Sequence, residues 1–378
     1  MRWFIFAFLL TFLFMHLYVY LRFFHIVLRN KRDKIFWAFF IFAGFLSPFL
    51  WRYGDAHWGE RITYYIAFGS LLWMGFLLYF LLALLIVDLY KVFVFLSKKL
   101  FHINPLPTPS PKSLVLLVLL PSLSLSAYSY YETLNLKVER IKIYTDKVPK
   151  NIKILHISDL HLGPVMGMDK VKLVLDVYER EKPQMVVSTG DLVDGNMKNK
   201  LYLAKALAKM DPPLGKYAVL GNHEYYRGIN QALDFTQKAG FRPLRGEVVY
   251  IQEYNLSLVG IEDDDCRFFG SCLGSISDKE VLRRAKVGSF VIYLKHKPRL
   301  EKGAEELFDL MLSGHTHGGV YHPIGRFILT RLFIGDRGLH KLGSSYVYIS
   351  KGVGTGGPPM RLLSPPDVAV IELVSRPR

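Results

Sequence analysis

The stretch IKILHISDLH, residues 152–161, is an apolar run that breaks abruptly into a polar cluster. Residues 152–157 read as a buried strand, and Ser158, Asp159 and His161 stand where that strand ends. Other segments follow the same pattern. Residues 185–188 run into Thr189, Gly190, Asp191 and Asp194, and residues 217–220 into Gly221, Asn222, His223 and Glu224. Residues 290–294 lead to His296, and the run 308–312, interrupted by Asp309, leads to the stretch GHTHGG that begins at Gly314. A further apolar run, 256–261, belongs to this set, while 346–350 and 368–374 read as strands of the tail. Amphipathic stretches lie between several of them (170–181, 201–209 and 229–239), so strand and helix alternate and an α/β domain is expected. In open α/β sheets the carboxyl ends of the strands form the ligand crevice, so the polar clusters are expected to meet on one edge.

The chain ahead of this domain is of another kind. Residues 3–21, 35–51 and 62–87 contain no Asp, Glu, Lys or Arg, and 113–131 is a further uncharged run. A membrane-crossing helix takes roughly 20 apolar residues, which the first and third runs meet. The second is near the short limit, and Pro121 with Ser122, Ser124, Ser126 and Ser129 dilutes the last, although Pro and Ser are tolerated inside bundles. Arg2 precedes the first run, yet no small-x-small cleavage site follows, and Leu21 leads into Arg22 and aromatic residues. The segment therefore reads as a retained helix rather than a signal peptide. Residues 1–131 are expected to hold about four membrane helices, 132–150 to form a polar linker, and 151–378 to form the catalytic domain.

The formal charge of +16 is spread along the chain. Residues 1–130 hold 12 Lys+Arg against 4 Asp+Glu, a net +8, and the remainder supplies the other +8. Much of the N-terminal excess sits between runs, at Arg22, Arg29, Lys31, Arg32 and Lys34 and again at Lys91, Lys98, Lys99 and Lys112. By the positive-inside rule those connections face the cytoplasm, so four crossings leave everything after Tyr131 outside it, and three would leave it inside. No basic stripe interleaved with aromatic residues stands out, so nucleic acid is not an expected partner. Cys266 and Cys272 either pair across their short loop, in an oxidising compartment, or remain two free thiols; they lack the count and partners of a zinc site.

The polar clusters collect Asp159, His161, Asp191, Asn222, His296, His315 and His317, with His223 beside them. Oxygen and imidazole donors together suit a divalent ion such as Mn, Fe, Zn, Co or Ni. So many donors exceed the needs of one ion. Two ions roughly 3.5–4 Å apart fit if one carboxylate bridges them, an arrangement that hydrolyses phosphate esters by lowering the pKa of a shared water for in-line attack on phosphorus. His315 and His317 would diverge on an extended strand, whereas Gly314, Gly318 and Gly319 permit a tight loop that turns both toward one point. Gly352, Gly354, Gly356 and Gly357 resemble a phosphate-cradling loop but lack the Lys-Ser/Thr of a P-loop. Arg361 is a candidate for phosphate contact or for a surface ion pair, and Tyr321 and His322 for substrate contact or a plain polar turn. His156 reads as packed in its strand, and His16 and His25 have no partner visible in the sequence.

Taken in order, D-x-H at Asp159 and His161, G-D-x-x-D ending at Asp194, G-N-H-E ending at Glu224, His296, and G-H-T-H ending at His317 resemble the motif set of the calcineurin-like metallophosphoesterases. The resemblance covers residues 150–374, and the Gly/Pro-rich ending with the apolar N-terminal runs is similar to the membrane-anchored bacterial branch of that superfamily. It implies a sandwich of two mixed β-sheets flanked by helices. It also implies roles that spacing alone does not apportion: Asp159, His161 and His317 hold one ion, Asn222, His296 and His315 the other, and Asp191 bridges them. Asp194 would orient a neighbour by hydrogen bond, and His223 would approach the substrate, stabilising the transition state or protonating the leaving oxygen. The ions implied are Mn, Fe or Zn.

The activity this implies is hydrolysis of a phosphate ester or pyrophosphate at a membrane, on a lipid-linked or nucleotide-sugar substrate. The membrane-anchored branch points to UDP-diacylglucosamine-type pyrophosphates, which suit a cytoplasmic domain; an external domain suits a phospholipid or cell-wall precursor phosphate. The competing readings are a non-catalytic membrane scaffold that keeps the fold, and a nuclease. No protein partner is inferred.

Overall fold

The structure is a computed structural model that describes residues 2–101, 107–273 and 277–376, so the last two positions of the expected catalytic segment, 377 and 378, lie outside the described residues. The chain divides into two compact units, 1–131 with 357–360, and 132–356 with 361–378.

The first unit is helical. Helices α1 (Phe6–Val27), α2 (Lys31–His57), α3 (Glu60–Phe101) and α4 (Pro111–Glu132) are each long and apolar enough to cross a membrane. The serines that dilute the last apolar run do not interrupt its helix, because their hydroxyls are satisfied along it. Ser122 Oγ donates to Val118 O at 2.6 Å and Ser126 Oγ to Ser122 O at 2.7 Å. Large apolar side chains face outward, among them Phe39 at 72% exposure and Ile86 at 68%, an arrangement that hydrocarbon tolerates and water penalises. Helix α3, at ~1.5 Å per residue, is about twice the thickness of a hydrocarbon core, so its Lys-bearing end extends past any single crossing. Two residues differ from their sequence reading. Arg22 lies within α1 rather than in a loop, with Nε 2.8 Å from Asp88 Oδ2 of α3. His16 has partners on both nitrogens, Phe12 O at 2.7 Å and the Trp73 indole N–H at 3.0 Å.

The second unit contains two six-stranded mixed sheets. The first runs β1 (Lys137–Thr145), β12 (Asp367–Ser375), β2 (Ile152–Ile157), β3 (Met185–Ser188), β4 (Lys216–Ala218), β5 (Arg242–Pro243). The second runs β10 (Gly338–Leu342), β11 (Ser345–Ile349), β9 (Leu310–Ser313), β8 (Phe290–Leu294), β7 (Leu256–Gly260), β6 (Glu247–Ile251). Alternate side chains of each central strand enter different layers. Ile152 and Ile154 join the core between the sheets, while Leu155 and Ile157 pack outward with Val171, Val174 and Phe235 of α5 (Met168–Glu181) and α8 (Ile229–Lys238). Burial on both faces is why these strands read as unbroken apolar runs.

Residues 137–145, read from sequence as part of a polar linker, form an edge strand instead. β1 pairs in parallel with β12 over its whole length, and only Ile143 among its residues is buried. An edge strand with one solvated face keeps many charged residues, here Lys137, Glu139, Arg140 and Lys142, so KVERIKIYT looked polar in sequence. β2, β3, β4, β7, β8 and β9 share directions that bring the loops after them to one end of the two sheets.

Candidate metal centre

The loops after β2 and β3 are tied to each other before any side chain is considered. Asp159 N–H donates to Gly190 O, His161 N–H to Asp191 O, and Asp194 N–H to Leu162 O, all within 3.0 Å. Glu224, at the start of α7 (Asn222–Arg227), fastens the third loop to them. Its fully buried carboxylate accepts the N–H groups of Gly221 at 2.8 Å, Asp191 at 2.9 Å and Val193 at 3.2 Å. Burial and the nearby Asp191 charge push its carboxyl up to about 8, against the pull of those donors.

The backbone is unusual where the donors sit. Asp159, His161, Asp191, His315 and His317 all have φ between 49° and 70°, the left-handed region that non-glycine residues seldom occupy and that concentrates at functional sites. Glycines make room for this. A Cβ on Gly314 would strike Ser158 Oγ and the Asp159 carboxylate, and one on Gly221 would strike the Asp191 carboxylate. Gly221 and Gly314 thus serve close approach around the donors, while His315 and His317 share the left-handed turn with Gly318 and Gly319.

Two donor sets result, sharing one oxygen. In the first, His161 Nε2 lies 3.1 Å from His317 Nε2 and 3.8 Å from Asp159 Oδ1, with His317 Nε2 3.6 Å from the same oxygen. In the second, His296 Nε2 lies 3.0 Å from Asn222 Oδ1 and 3.2 Å from His315 Nδ1. Asp191 stands between them. Its Oδ1 accepts the His223 N–H at 2.9 Å, which leaves Oδ2 3.3 Å from His296 Nε2 and 3.7 Å from His161 Nε2. Asp159, His161, Asp191, Asn222 and His296 are buried.

The tautomer of His296 tests whether this set is built for cations. Its Nδ1 faces Thr189 O at 2.8 Å, and since a carbonyl only accepts, Nδ1 carries the hydrogen and Nε2 presents a lone pair. That lone pair meets the Asn222 oxygen, an Asp191 oxygen and a His315 nitrogen, so acceptors face acceptors. A positive centre among them resolves the conflict. Burial opposes a second proton on the ring, but the Asp191, Asp159 and Asp263 carboxylates outweigh burial and lift His296 to about 10, so a cation at Nε2, whether a proton or a metal ion, is favoured there. Burial also opposes ionisation of Asp191, yet the charges on His296 and His223 hold its carboxyl well below the usual range. Residues of this chemistry fit divalent ions of the borderline class.

Around the donors lie groups of a different kind. His223 Nδ1 is 2.8 Å from Asp194 Oδ1, and the same oxygen accepts from Arg227 Nε at 2.9 Å and Nη2 at 2.8 Å. Burial would strip His223 of its proton, but Asp191 and Asp194 raise it to about 9. Tyr226 packs beside the His223 ring, and its hydroxyl donates to Asp265, the residue before Cys266, which is disulfide-bonded to Cys272. The cysteines are therefore paired.

Arg361 is neither a phosphate contact nor a surface ion pair. It is fully buried, with Nη2 3.0 Å from His317 Nδ1, 3.1 Å from Gly352 O and 2.6 Å from Gly354 O, and Nη1 3.2 Å from Ser364 O. Burial lowers it only to about 10, so it remains a cation. The Gly-rich loop that holds it also braces the first donor loop, through Val353 N–H to Ser158 O at 3.0 Å and Gly354 N–H to Asp159 O at 2.7 Å. His156 is packed as expected, bonded to Thr189 Oγ1 at 2.8 Å, with burial lowering it to about 3.

The structure brings together Asp159, His161, Asp191, Asn222, His296, His315 and His317, with His223 and Asp194 adjoining. Sequence reasoning missed Glu224, Arg227 and Arg361 as supports. Glu224 had a signal, three residues beyond Gly221 at a helix start; Arg227 and Arg361 had none, since their partners are remote in sequence.

Residues 152–319 match the calcineurin-like phosphoesterase family. An uncharacterized metallophosphoesterase of Aquifex aeolicus (strain VF5) is 55% identical over 252 residues, 66% of this chain and 96% of the relative. A transmembrane protein with metallophosphoesterase domain from Danio rerio is 30% identical over 63% of this chain, which spans 57% of that relative's length. Among solved structures, a dimetal phosphatase from Danio rerio has a TM-score of 0.37 at 13% identity, covering 54% of this chain and 89% of that one.

Proposed function

The chain belongs to the calcineurin-like phosphoesterases and is a metal-dependent phosphohydrolase; from that premise we propose that it is a multi-pass bacterial membrane protein that hydrolyses the phosphate ester or pyrophosphate of a lipid-linked substrate. In this reading residues 1–131 are the membrane region and 151–378 the catalytic domain, to whose first sheet the connecting residues 132–150 add the edge strand β1.

The observation that carries the reading is the division of labour in Asp191, whose Oδ1 is occupied by the His223 N–H while Oδ2 lies between two donor sets. Asp159, His161 and His317 would hold one divalent ion, Asn222, His296 and His315 a second, and Asp191 both; Mn, Fe and Zn suit these donors. Two such ions supply Lewis acidity toward phosphate oxygens and make hydroxide accessible at neutral pH. The chain's own residues do the rest. Thr189 O fixes the tautomer of His296, the Arg361 guanidinium packs against His317, and Asp194 keeps a proton on His223. That proton is held beside the donor sets, where a leaving oxygen needs it.

The disulfide supports a catalytic domain outside the cytoplasm, because such bonds persist in oxidising compartments. There a phosphorylated membrane lipid or cell-wall precursor is at hand, whereas a UDP-diacylglucosamine-type pyrophosphate is a cytoplasmic substrate. The test uses the full chain in nanodiscs, stripped by chelator and reloaded with Mn, Fe, Zn, Co or Mg in turn, assayed on monoester, diester and lipid phosphate substrates. Turnover that returns with metal in the wild type and not in Asp191→Asn is expected. Equal metal content in the two proteins, or no turnover with two ions bound, overturns the reading.

A further inference from the structure

The helix α10 (Ile324–Leu332) behaves unlike its neighbours. Helix α5 buries Val171, Val174 and Val177, and α8 buries Ala232 and Phe235, as helices that pack on a sheet must. None of the residues of α10 is buried. Ile324, Phe327, Ile328 and Leu332, spaced to share one face, are each between 52% and 62% exposed. Water penalises such a stripe, and apolar patches kept on a surface mark a site of association.

Its position and its charge narrow the partner. The helix follows the donor loop directly: Gly325 N–H bonds Tyr321 O at 3.0 Å, a short step beyond His317. At its other end Phe333 lies edge-on against the His315 ring, with centroids 5.4 Å apart, and the Arg299 guanidinium stacks on Phe333 at 4.5 Å. Residues 321–343 carry Arg326, Arg331, Arg337 and Lys341 against Asp336 alone. The Arg331 guanidinium lies 3.9 Å from the Phe327 ring, so a cation and apolar side chains share one face. An apolar stripe edged by arginines is the signature of a helix that lies in the headgroup layer of an anionic membrane. The same chain carries four helices long and apolar enough to cross a bilayer, which in the membrane reading above puts a bilayer at hand.

We propose that α10 is an interfacial helix that beds in the headgroup layer of an anionic bilayer and presents lipid phosphate to the adjoining donor sets. The docking stands on the exposed face and its charge; the presentation rests on the lipid-substrate reading above.

The test separates the two. Because Cys266 and Cys272 are bonded to each other, a single introduced cysteine takes a nitroxide label selectively. The full chain is labelled at Phe327→Cys, on the apolar face, or at Thr330→Cys, off that face, in nanodiscs of phosphatidylglycerol and phosphatidylcholine. Docking predicts that the label at 327 is accessible to oxygen and shielded from a water-soluble paramagnetic chelate, with the label at 330 open to the chelate. Equal chelate access at both sites overturns the docking, and so does shielding of 327 from both reagents, which marks a protein contact. In parallel, Phe327→Ser with Ile328→Ser is assayed in the same nanodiscs. Turnover of a soluble nitrophenyl phosphate is expected to stay within about twofold, and turnover of phosphatidic acid to fall about tenfold or more. Equal turnover of phosphatidic acid by variant and wild type overturns the presentation. A bedded label with no lipid turnover by the wild type upholds the docking and sinks the lipid-substrate reading.

Discussion

Replacing His223 by Asn separates proton transfer from every structural use of that ring. Its Nδ1 lies 2.8 Å from Asp194 Oδ1, and its ring meets His161 edge-on with centroids 4.5 Å apart. Burial opposes the charge, but the Asp191 and Asp194 carboxylates lift the imidazole to about 9, so a proton is present at neutral pH. A positioned general acid contributes roughly 10²–10⁴-fold, about 3–5 kcal/mol of barrier. That contribution depends on how much the leaving oxygen needs a proton. An alkoxide needs one, whereas a nitrophenolate departs largely unaided. His223→Asn is therefore expected to lower kcat on an alkyl phosphate ester by about 10²–10⁴-fold and on the nitrophenyl ester by about tenfold or less. Metal content, read by elemental analysis, stays at the wild-type level. Asp194→Asn removes one of the carboxylates that hold the proton, so the alkaline limb of the alkyl-ester pH profile moves to lower pH. Equal losses on the two esters would refute the reasoning, because His223 would then serve binding or structure; so would a drop in bound metal.

Other consequences can be checked on the same preparation. Gly314→Ala drives a methyl into Ser158 and Asp159, and metal affinity measured by competition with a chelator is expected to fall about 10–100-fold, as when support of a ligand is lost. Reducing the Cys266–Cys272 bond, which spans a sequence separation of 6, removes about 2 kcal/mol of loop-closure stabilisation and lowers the thermal midpoint; an unchanged midpoint counts against the loop's role. Buried Lys216, whose Nζ donates to Leu207 O and Ala239 O, is lowered from the ordinary 10.5 to about 8 by burial. The unfolded chain then binds more protons between those values, so the Lys216 contribution to stability rises with pH across that window. Wild type should gain on Lys216→Met as pH is raised from about 8, and parallel midpoints would show that burial does not depress the amine.

The two-sheet domain was legible in sequence wherever strands are buried on both faces. Residues 152–157 and 185–188 announce themselves as apolar runs because each inserts alternate side chains into two cores. β1 escaped for the opposite reason, since an edge strand with a solvated face looks like a linker. The donors were legible because ligand chemistry restricts residue type to a few side chains, and histidine, aspartate and asparagine recur at these strand ends. The supports were not, because a buried Arg361 beside His317 joins residues separated by 44 positions, and a carboxylate such as Glu224 differs from a surface one only in what surrounds it.

The sequence by itself determined which atoms are available to hold ions, which runs can enter a membrane, and which strands are buried, since all three follow from side-chain chemistry and short-range period. Only the tertiary structure decided that Asp191 gives one oxygen to His223 and the other to two donor sets, that His296 turns Nε2 toward them, and that α10 keeps its apolar face uncovered. Those facts depend on hydrogen-bond direction and on what packs against what, and neither is a property of residues taken in order along a chain.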